Sequence, residues 1–419
     1  MDSSMTVLQQ LTVNSDRLNE SINRLAKIGK QPSGSIRRLA FTPEDFQARY
    51  LVQQWMVEAG MTVRTDAAGN LIGKYAGRYA NAPALATGSH IDTVPSGGQY
   101  DGVLGVLSGI EVVRILREQN LQLDHPIEVI VFTDEETTMI GSQAMAGTVL
   151  LNSPERYQPK VGQDIQPSLE AIGGNWDELI TARRSNREIA AFIELHVEQG
   201  VVLEQTGSNI GVVQGVVGIR RKIITITGQA NHAGTTPMDM RQDALVAAAE
   251  VILAVRNLAY QMPSQPVATV GYLTVSPNSV NTVPGKVELS VDMRDLDKAC
   301  LDEMVTHLTQ QLEQIVAETN MQIEMVPLLC VEPTPAAQPI QNTIASVCEQ
   351  FGLSYCYLPS RAGHDSLELG RITDMGMIFV PSQAGVSHSE AEYTSPEQCA
   401  QGANILLHTL LQLDQLYSV

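Results

Sequence analysis

Ile127-Glu128-Val129-Ile130-Val131-Phe132-Thr133-Asp134-Glu135-Glu136 is a strongly apolar run that ends in three consecutive carboxylates. The run reads as a buried strand. Like charges at its end would repel one another unless protons or cations are shared among them. Ligands held at strand ends are the usual site geometry of α/β sheets, so this stretch points to a fold class and a site together.

The same design recurs along the chain. Ala82 to Thr87 is a second apolar run, followed by Gly88-Ser89-His90-Ile91-Asp92-Thr93-Val94, which puts His90 where a strand ends. Asp92 is placed to accept the second ring N–H of His90, the contact that fixes the tautomer and raises the basicity of a metal-ligating histidine. Asp101 follows in the glycine-rich turn Gly97-Gly98-Gln99-Tyr100-Asp101-Gly102, ahead of an apolar helix from Val106 to Leu116. Glycine permits the backbone angles of such a turn, and an aspartate there can also be a plain N-cap. Ile193-Glu194-Leu195-His196-Val197-Glu198-Gln199-Gly200 is an apolar strand ending in a histidine beside carboxylates, and His388 follows the run from Gly376 to Pro381. Core packing does not explain five such residues, each at or just after the end of an expected strand.

These segments, in this order and together with Gly228-Gln229-Ala230-Asn231-His232-Ala233-Gly234-Thr235-Thr236-Pro237 and Asn281-Thr282-Val283-Pro284, resemble the M20 family of binuclear metallohydrolases. Within it the chain is most similar to the branch of N-carbamoyl-amino-acid amidohydrolases, allantoate amidohydrolases and β-ureidopropionases. The resemblance runs from about residue 40 to the C-terminus. In peptidases of the wider family the position of His196 is usually a carboxylate, and a histidine followed by Glu-Gln-Gly resembles the ureido-hydrolysing branch. One departure stands out. The branch commonly continues its glutamate pair with Gly-x-Arg-Phe, whereas this chain reads Thr137-Thr138-Met139-Ile140, which leaves substrate choice within the branch open.

The resemblance implies residue roles. His90 and His196 would hold one divalent ion, Glu136 and His388 the other, and Asp101 would bridge both. Mixed nitrogen and oxygen donors suit Zn or Mn, or Co or Ni, better than Ca or Mg. Glu135 would be the general base; spacing alone allows the two glutamates to exchange roles, and the family pattern assigns them. His232, on general grounds a surface or capping residue, would reach into the partner subunit's site and stabilise an oxyanion. Arg294 would clamp a substrate carboxylate in bidentate fashion, although an ion pair with Asp292 or Asp295 also explains it. Asn281 would bond the same carboxylate and Gln199 the ureido end, with Gly363 and His364 in the loop beside the site. Structural and functional readings stay equally open for Arg221, Asp134 and His364. His125, His307 and His408 sit in polar loop or helix contexts and carry no expected role.

The organisation expected is an α/β catalytic domain, with a central mixed, mainly parallel sheet flanked by helices, over 1–215 and 330–419. Between them, Gly218 to Gly228, Arg241 to Tyr260, Val267 to Val275, Lys286 to Arg294, Asp297 to Glu318 and Met321 to Leu328 read strand, helix, strand, strand, helix, strand. That order is the split unit of ferredoxin-like domains. Because His388 lies beyond it, 216–329 is expected to be an insertion, and the resemblance makes it a lid and dimer surface. Leu8 to Ile28 and Pro43 to Glu58 have helical spacing, the second after a Thr42 cap. Ser153 to Arg187 is polar and reads as a surface excursion.

At 419 residues, 43% hydrophobic and 17% charged, the composition is that of an ordinary soluble globular protein. A net charge of -19 without any basic stretch argues against nucleic acid. Met1 to Arg17 has no signal-peptide pattern, and no apolar run approaches the roughly 20 residues of a membrane span. The expected location is therefore cytoplasmic. Five cysteines without CxxC spacing read as buried free thiols.

The function expected is metal-dependent hydrolysis of the linear ureido C–N bond of a carboxylate-bearing substrate, with release of ammonia. N-carbamoyl amino acids, allantoate and ureidoglycolate fit. An aminoacylase or dipeptidase on the same scaffold is the nearest rival, disfavoured by His196 and Gln199. A non-enzymatic binding protein is the rival of another class, and its mark would be lost ligands, whereas all five are kept.

Overall fold

The computed structural model describes residues 11–162 and 164–419. The described residues divide into two compact units, one of those up to 215 with 335–419, the other of 216–334. The second unit runs past the expected end at 329, because its last strand extends to Val331.

Helix α1, Ser15–Leu25, opens the first unit; positions 8–10 of the expected helix lie outside the described residues. Helix α2 is Pro43–Glu58, as its spacing predicts, with Thr42 accepting the Asp45 N–H at 3.4 Å. The strands that follow are β1 (Thr62–Thr65), β2 (Leu71–Tyr75), β3 (Ala84–His90), β4 (Ile127–Phe132), β5 (Ile189–Val197) and β6 (Ile210–Val216). Helix α3, Val103–Glu118, sits between β3 and β4. The inserted unit contributes β7 (Gly218–Thr227), β8 (Asn231–His232), β9 (Val267–Ser276), β10 (Thr282–Val283), β11 (Lys286–Asp295) and β12 (Gln322–Val331), with α4 (Ala244–Gln261) and α5 (Lys298–Thr319). After it come α6 (Gln338–Gln350), β13 (Tyr355–Ser360), β14 (Asp374–Val380) and α7 (Pro396–Leu416).

In the first unit the sheet order is β1-β2-β4-β3-β5-β14-β6, with β13 also on β6. The four middle strands β4, β3, β5 and β14 are parallel, and β2 and β6 flank them antiparallel. Helix α3 is buried on all sides, from Val103 to Leu116, as an all-round apolar helix must be. Its fully buried Glu111 is paired with Arg17 of α1 at 2.6 Å. The excursion at 153–187 carries only short helices, but its Tyr157, Ile165, Leu169 and Trp176 pack into a small apolar cluster with Phe41, Ala68 and Ile140.

The second unit is an antiparallel sheet in the order β12-β7-β11-β9. Its central strand β11 alternates strictly: Val287, Leu289, Val291 and Met293 are buried, while Glu288, Ser290, Asp292 and Arg294 point the other way. Helices α4 and α5 cover the apolar face. α4 starts at Ala244, not at Arg241, because the Asp243 side chain accepts from the Leu245 and Val246 N–H groups and sets the cap there. By length and hydropathy α4 is apolar enough to cross a membrane, contrary to expectation; its buried side, including Ala247, Val251 and Val255, packs in this unit's core. All five cysteines are free, and Cys330 is exposed, not buried as expected, because it lies on edge strand β12.

Candidate metal centre

The parallel strands deliver the site. β3 ends on His90, β5 carries His196 one residue before its end, Glu135 and Glu136 follow β4, and His388 follows β14. Since these four strands are neighbours, their C-terminal ends bring the five side chains into one row. Asp101 arrives from the turn before α3. It is not the N-cap: that position is Gly102, with φ 66° and no side-chain cap. A Cβ on Gly102 would stand 2.5 Å from the His90 ring, so both the backbone angle and the close approach require glycine.

The Asp101 carboxylate is divided between two groups. Oδ1 lies 3.5 Å from His90 Nε2 and 3.1 Å from His196 Nε2, while Oδ2 lies 3.2 Å from His388 Nε2. Glu136 Oε1 is 3.6 Å from the same His388 nitrogen, and Glu135 Oε2 is 3.5 Å from His90 Nε2. Two ligand atoms at about 2.0–2.1 Å from one tetrahedral ion stand roughly 3.3–3.4 Å apart, which is the spacing of these pairs. The sets His90–Asp101–His196 and Asp101–Glu136–His388 each fit one cation, with Asp101 common to both.

The tautomers agree. His90 Nδ1 meets the Asp92 carbonyl at 3.0 Å and His196 Nδ1 the Val197 carbonyl at 2.8 Å. A carbonyl only accepts, so each Nδ1 carries the proton; His90 Nε2 turns its lone pair toward Asp101, and His196 Nε2, which also faces Asp101, accepts the Gly102 N–H at 3.1 Å. Between His90 Nε2 and Asp101 Oδ1, acceptor facing acceptor requires a proton or a cation. The second-ring contact of His90 therefore exists, but through the backbone oxygen of Asp92. Its carboxylate Oδ1 stays 3.7 Å from Nδ1, because Oδ2 is drawn to the Glu136 N–H at 3.2 Å.

Four of the other expected residues, His232, Asn281, Arg221 and Arg294, lie on the second unit, in two groups. β8 pairs with β10, so that His232 stands opposite Thr282 and beside Asn281, whose carbonyl accepts the Ala233 N–H. His232 Nδ1 accepts from the Gly234 and Thr235 N–H groups at 3.0 and 3.2 Å, leaving an exposed ring with its proton on Nε2. On the helix-free face of the sheet, Asp292 accepts from Arg294 Nε on one oxygen at 2.7 Å and from Arg221 Nε on the other at 2.8 Å. The ion pair expected for Arg294 is thus present, and it includes Arg221.

The sequence profile of peptidase family M20/M25/M40 matches residues 86–412. The chain belongs to peptidase family M20. It is 41% identical to the N-carbamoyl-L-amino acid amidohydrolase of Geobacillus stearothermophilus, over 96% of this chain and 99% of the relative. It is 35% identical to the ureidoglycolate hydrolase of Arabidopsis thaliana, over 98% and 89%. A crystal structure of a hydantoinase/carbamoylase family amidase from Burkholderia multivorans superposes with a TM-score of 0.90 at 37% identity, covering 97% of this chain and 99% of that one. This M20 chain is a hydrolase of the amidohydrolase kind that such relatives' names describe.

The buried charges of the M20 site shift one another's proton affinities. Burial alone would depress the His90 imidazolium, yet Glu135, Asp101 and Asp92 outweigh it and hold it well above the ordinary histidine value. His196 is raised likewise, burial being overcome by Asp101, and His388 is raised chiefly by its hydrogen bond to Asp101. Burial resists the ionisation of Asp101, but the three imidazoles hold it well below the usual carboxylate range. Burial pushes Glu136 up to about 7, aided by the Asp101 charge, and pushes Glu135 well above its ordinary value. His388 is the open member at 48% exposed, against 2% for His90 and 1% for His196, so the centre is approached from the His388 side. Asp134, Gln199 and His388 all take a left-handed φ of 54–55°, a strain that costs about 1–3 kcal/mol each and gathers at functional sites.

Around this M20 centre the structure adds residues that the sequence reading passed over. Glu392 accepts the Tyr100 and Asp101 N–H groups with one oxygen and the Ser387 hydroxyl with the other, fixing the Asp101 turn from the His388 loop. Glu194 accepts from Ser89, beside His90, and from Ser366; a carboxylate inside an apolar strand was its only signal. His364, open to either reading, lies behind His196. It is 1% exposed and packs edge-on against the His196 ring at 4.5 Å, and burial holds it well below the ordinary histidine value. Gly363 beside it has open space around its Cα. His125 and His408 bond backbone carbonyls, and Asp134 takes the Thr138 hydroxyl at 2.5 Å.

Proposed function

We propose that this protein hydrolyses the linear ureido C–N bond of a small carboxylate-bearing substrate, an N-carbamoyl amino acid, allantoate or ureidoglycolate, and releases ammonia. The observation that carries the reading is the division of the Asp101 carboxylate between His90 with His196 and His388 with Glu136, in a chain whose relatives bear ureido-hydrolase names. Two divalent ions, Zn or Mn before Co or Ni, would be held by these five residues, and when bound they acidify water and polarise a carbonyl. Glu135 lies within 3.5 Å of His90 yet outside both ligand sets, and its raised proton affinity suits a base that takes a proton from water at Oε2 and returns it to the leaving nitrogen. Gln199, whose buried Oε1 has no hydrogen-bond partner, receives the ureido N–H groups.

The second unit supplies recognition. Arg294, aligned by Asp292, takes the substrate carboxylate with Asn281, and Arg221 shares the same acceptor. His232, a neutral ring with its proton on Nε2, donates to the oxyanion of the tetrahedral intermediate. The unit acts as lid and dimer surface, and each His232 completes the site of the partner subunit. The test is a substrate panel assayed for ammonia, with acyl amino acids and dipeptides assayed for free carboxylate. Ammonia from ureido substrates alone supports the reading, and turnover of acyl substrates alone replaces it with an aminoacylase or dipeptidase. Arg294→Ala with an unchanged rate would sink the carboxylate clamp, and a protein that neither binds Mn or Zn nor turns over any substrate would be a binding protein.

A further inference from the structure

Arg38 is fully buried at 1% exposed, and its guanidinium touches only backbone oxygens. Nε donates to the Ile91 carbonyl at 2.7 Å, and NH1 to the carbonyls of Ile28 at 2.9 Å and Leu25 at 3.3 Å. No carboxylate lies within ion-pair distance of it among the described residues, and burial lowers its affinity for the proton to a pKa of about 10. Burying a cation without a direct ion pair is costly, so three charge-assisted bonds to carbonyls, with the more distant Asp45 and Asp92 charges, have to offset the loss. Their direction gives the reason. Leu25 ends helix α1, a negative dipole end, and Ile91 lies between His90 and Asp92. The backbone repeats the tie: the Arg38 N–H donates to Thr93 Oγ1 and the Thr93 N–H to the Arg38 carbonyl, both at 2.9 Å. Ile36 and Gly97 then bond reciprocally at 2.9 Å. The loop after β3 is thereby fastened at Ile91, Thr93 and Gly97, on both sides of Asp92, which itself holds His90 Nδ1 through its carbonyl and the Glu136 N–H through its carboxylate.

We propose that Arg38 is a positioning residue of the metal centre: through the Ile91–Thr93 segment it fixes Asp92, and Asp92 sets the aim of His90 in one ligand group and of Glu136 in the other. The inference rests on the reading of His90 and Glu136 as ligands. Arg38 itself touches neither metal nor substrate. Its test is the affinity of the chelator-stripped full-length protein for Mn2+ and for Zn2+ by titration calorimetry, beside thermal unfolding of the stripped protein. Arg38→Met is expected to weaken metal binding by about 10–100-fold, the usual loss when a group behind a ligand is removed, with Arg38→Lys between it and the parent. An Arg38→Met protein that folds and binds metal within about twofold of the parent overturns the proposal and leaves Arg38 a tie for helix α1. If Arg38→Met does not fold, Thr93→Val removes one strand of the same clamp without touching the buried charge; a several-fold loss of affinity supports the proposal and an unchanged affinity overturns it. His90→Ala serves as the control. If it binds metal like the parent, the ligand assignment has failed; if it loses metal while the Arg38 and Thr93 variants keep it, only the positioning role has failed.

Discussion

Gln199 donates its amide N–H to Oδ2 of Asp101 at 2.8 Å, the same oxygen that faces His388 at 3.2 Å. The other end of that amide, Oε1, is buried without a partner, which costs free energy unless a donor arrives. The residue is held there by a left-handed backbone at φ 55° and by its N–H bond to Ser382. The structure thus keeps an acceptor unpaired beside the proposed bridging carboxylate.

Replacing Gln199 by Leu is expected to lower kcat/KM for ureido substrates about 10–100-fold, the cost of about 1–3 kcal/mol for one unmet hydrogen bond. At saturating Mn or Zn, metal content should stay at the parent level, because Gln199 belongs to neither ligand group and only supports Asp101. Steady-state kinetics beside elemental analysis checks both halves, and a variant with full kcat/KM ends the case for Gln199 as the ureido contact.

Glu135→Gln removes the proposed base and keeps its shape. The expected loss is about 10²–10⁴-fold in kcat, with metal retained. Glu136→Gln should behave differently and lose metal, since Glu136 shares Asp101 and His388 with one cation position. Parallel measurement of kcat and bound metal in the two variants separates the roles that adjacency in sequence leaves interchangeable; a reversed result exchanges the assignments.

The convergence of the five residues proposed as ligands was legible because strands announce themselves as apolar runs, and the ends of parallel strands are where side chains converge. His90, Asp101, Glu136, His196 and His388 each stand at such an end or in the turn beside it. What stayed hidden was whatever depends on which atom of a residue is used. Asp92 was expected to hold His90 with its carboxylate, but the backbone oxygen does so, and no spacing rule distinguishes the two. His364 reads as a loop residue by its glycine neighbour, whereas the strands around it bury it behind His196. Arg38 and Glu392 act through the backbone of distant segments, and long-range bonds to carbonyls or N–H groups leave no periodic trace in a sequence.

His232 offers a sharper test. Its Nδ1 is occupied by two backbone N–H groups, so the ring presents Nε2–H as a donor and has no free lone pair with which to act as base. Glutamine can present an N–H near the Nε2 position; alanine cannot. His232→Gln is therefore expected to keep at least about tenfold more kcat than His232→Ala, since one oxyanion donor is worth about 10²–10³-fold. Equal, complete loss in both would indicate proton transfer at His232 instead.

Removal of metal should change how stability depends on pH, with a sign fixed by the proton affinities of the empty site. Glu136 is pushed up to about 7 from an ordinary 4.5, and Glu135, His90, His196 and His388 are raised as well. In the stripped protein the native state then binds more protons than the unfolded chain, so stability falls as pH rises. For Glu136 the contribution is complete below about 4.5 and lost as pH passes about 7. His364, lowered, works the other way below 6.5 but is one imidazole against the raised set, and Asp101, held below 3.8, acts only beneath this window. Bound cations take the place of those protons and compete better as pH rises. The difference in Tm between Mn- or Zn-loaded and chelator-stripped protein should therefore widen from about pH 5 to about pH 8. Asp101→Asn should remove most of that difference, since both ligand groups share Asp101. A difference in Tm that is the same at every pH would mean that the metal displaces no protons, and that these five residues are not its ligands.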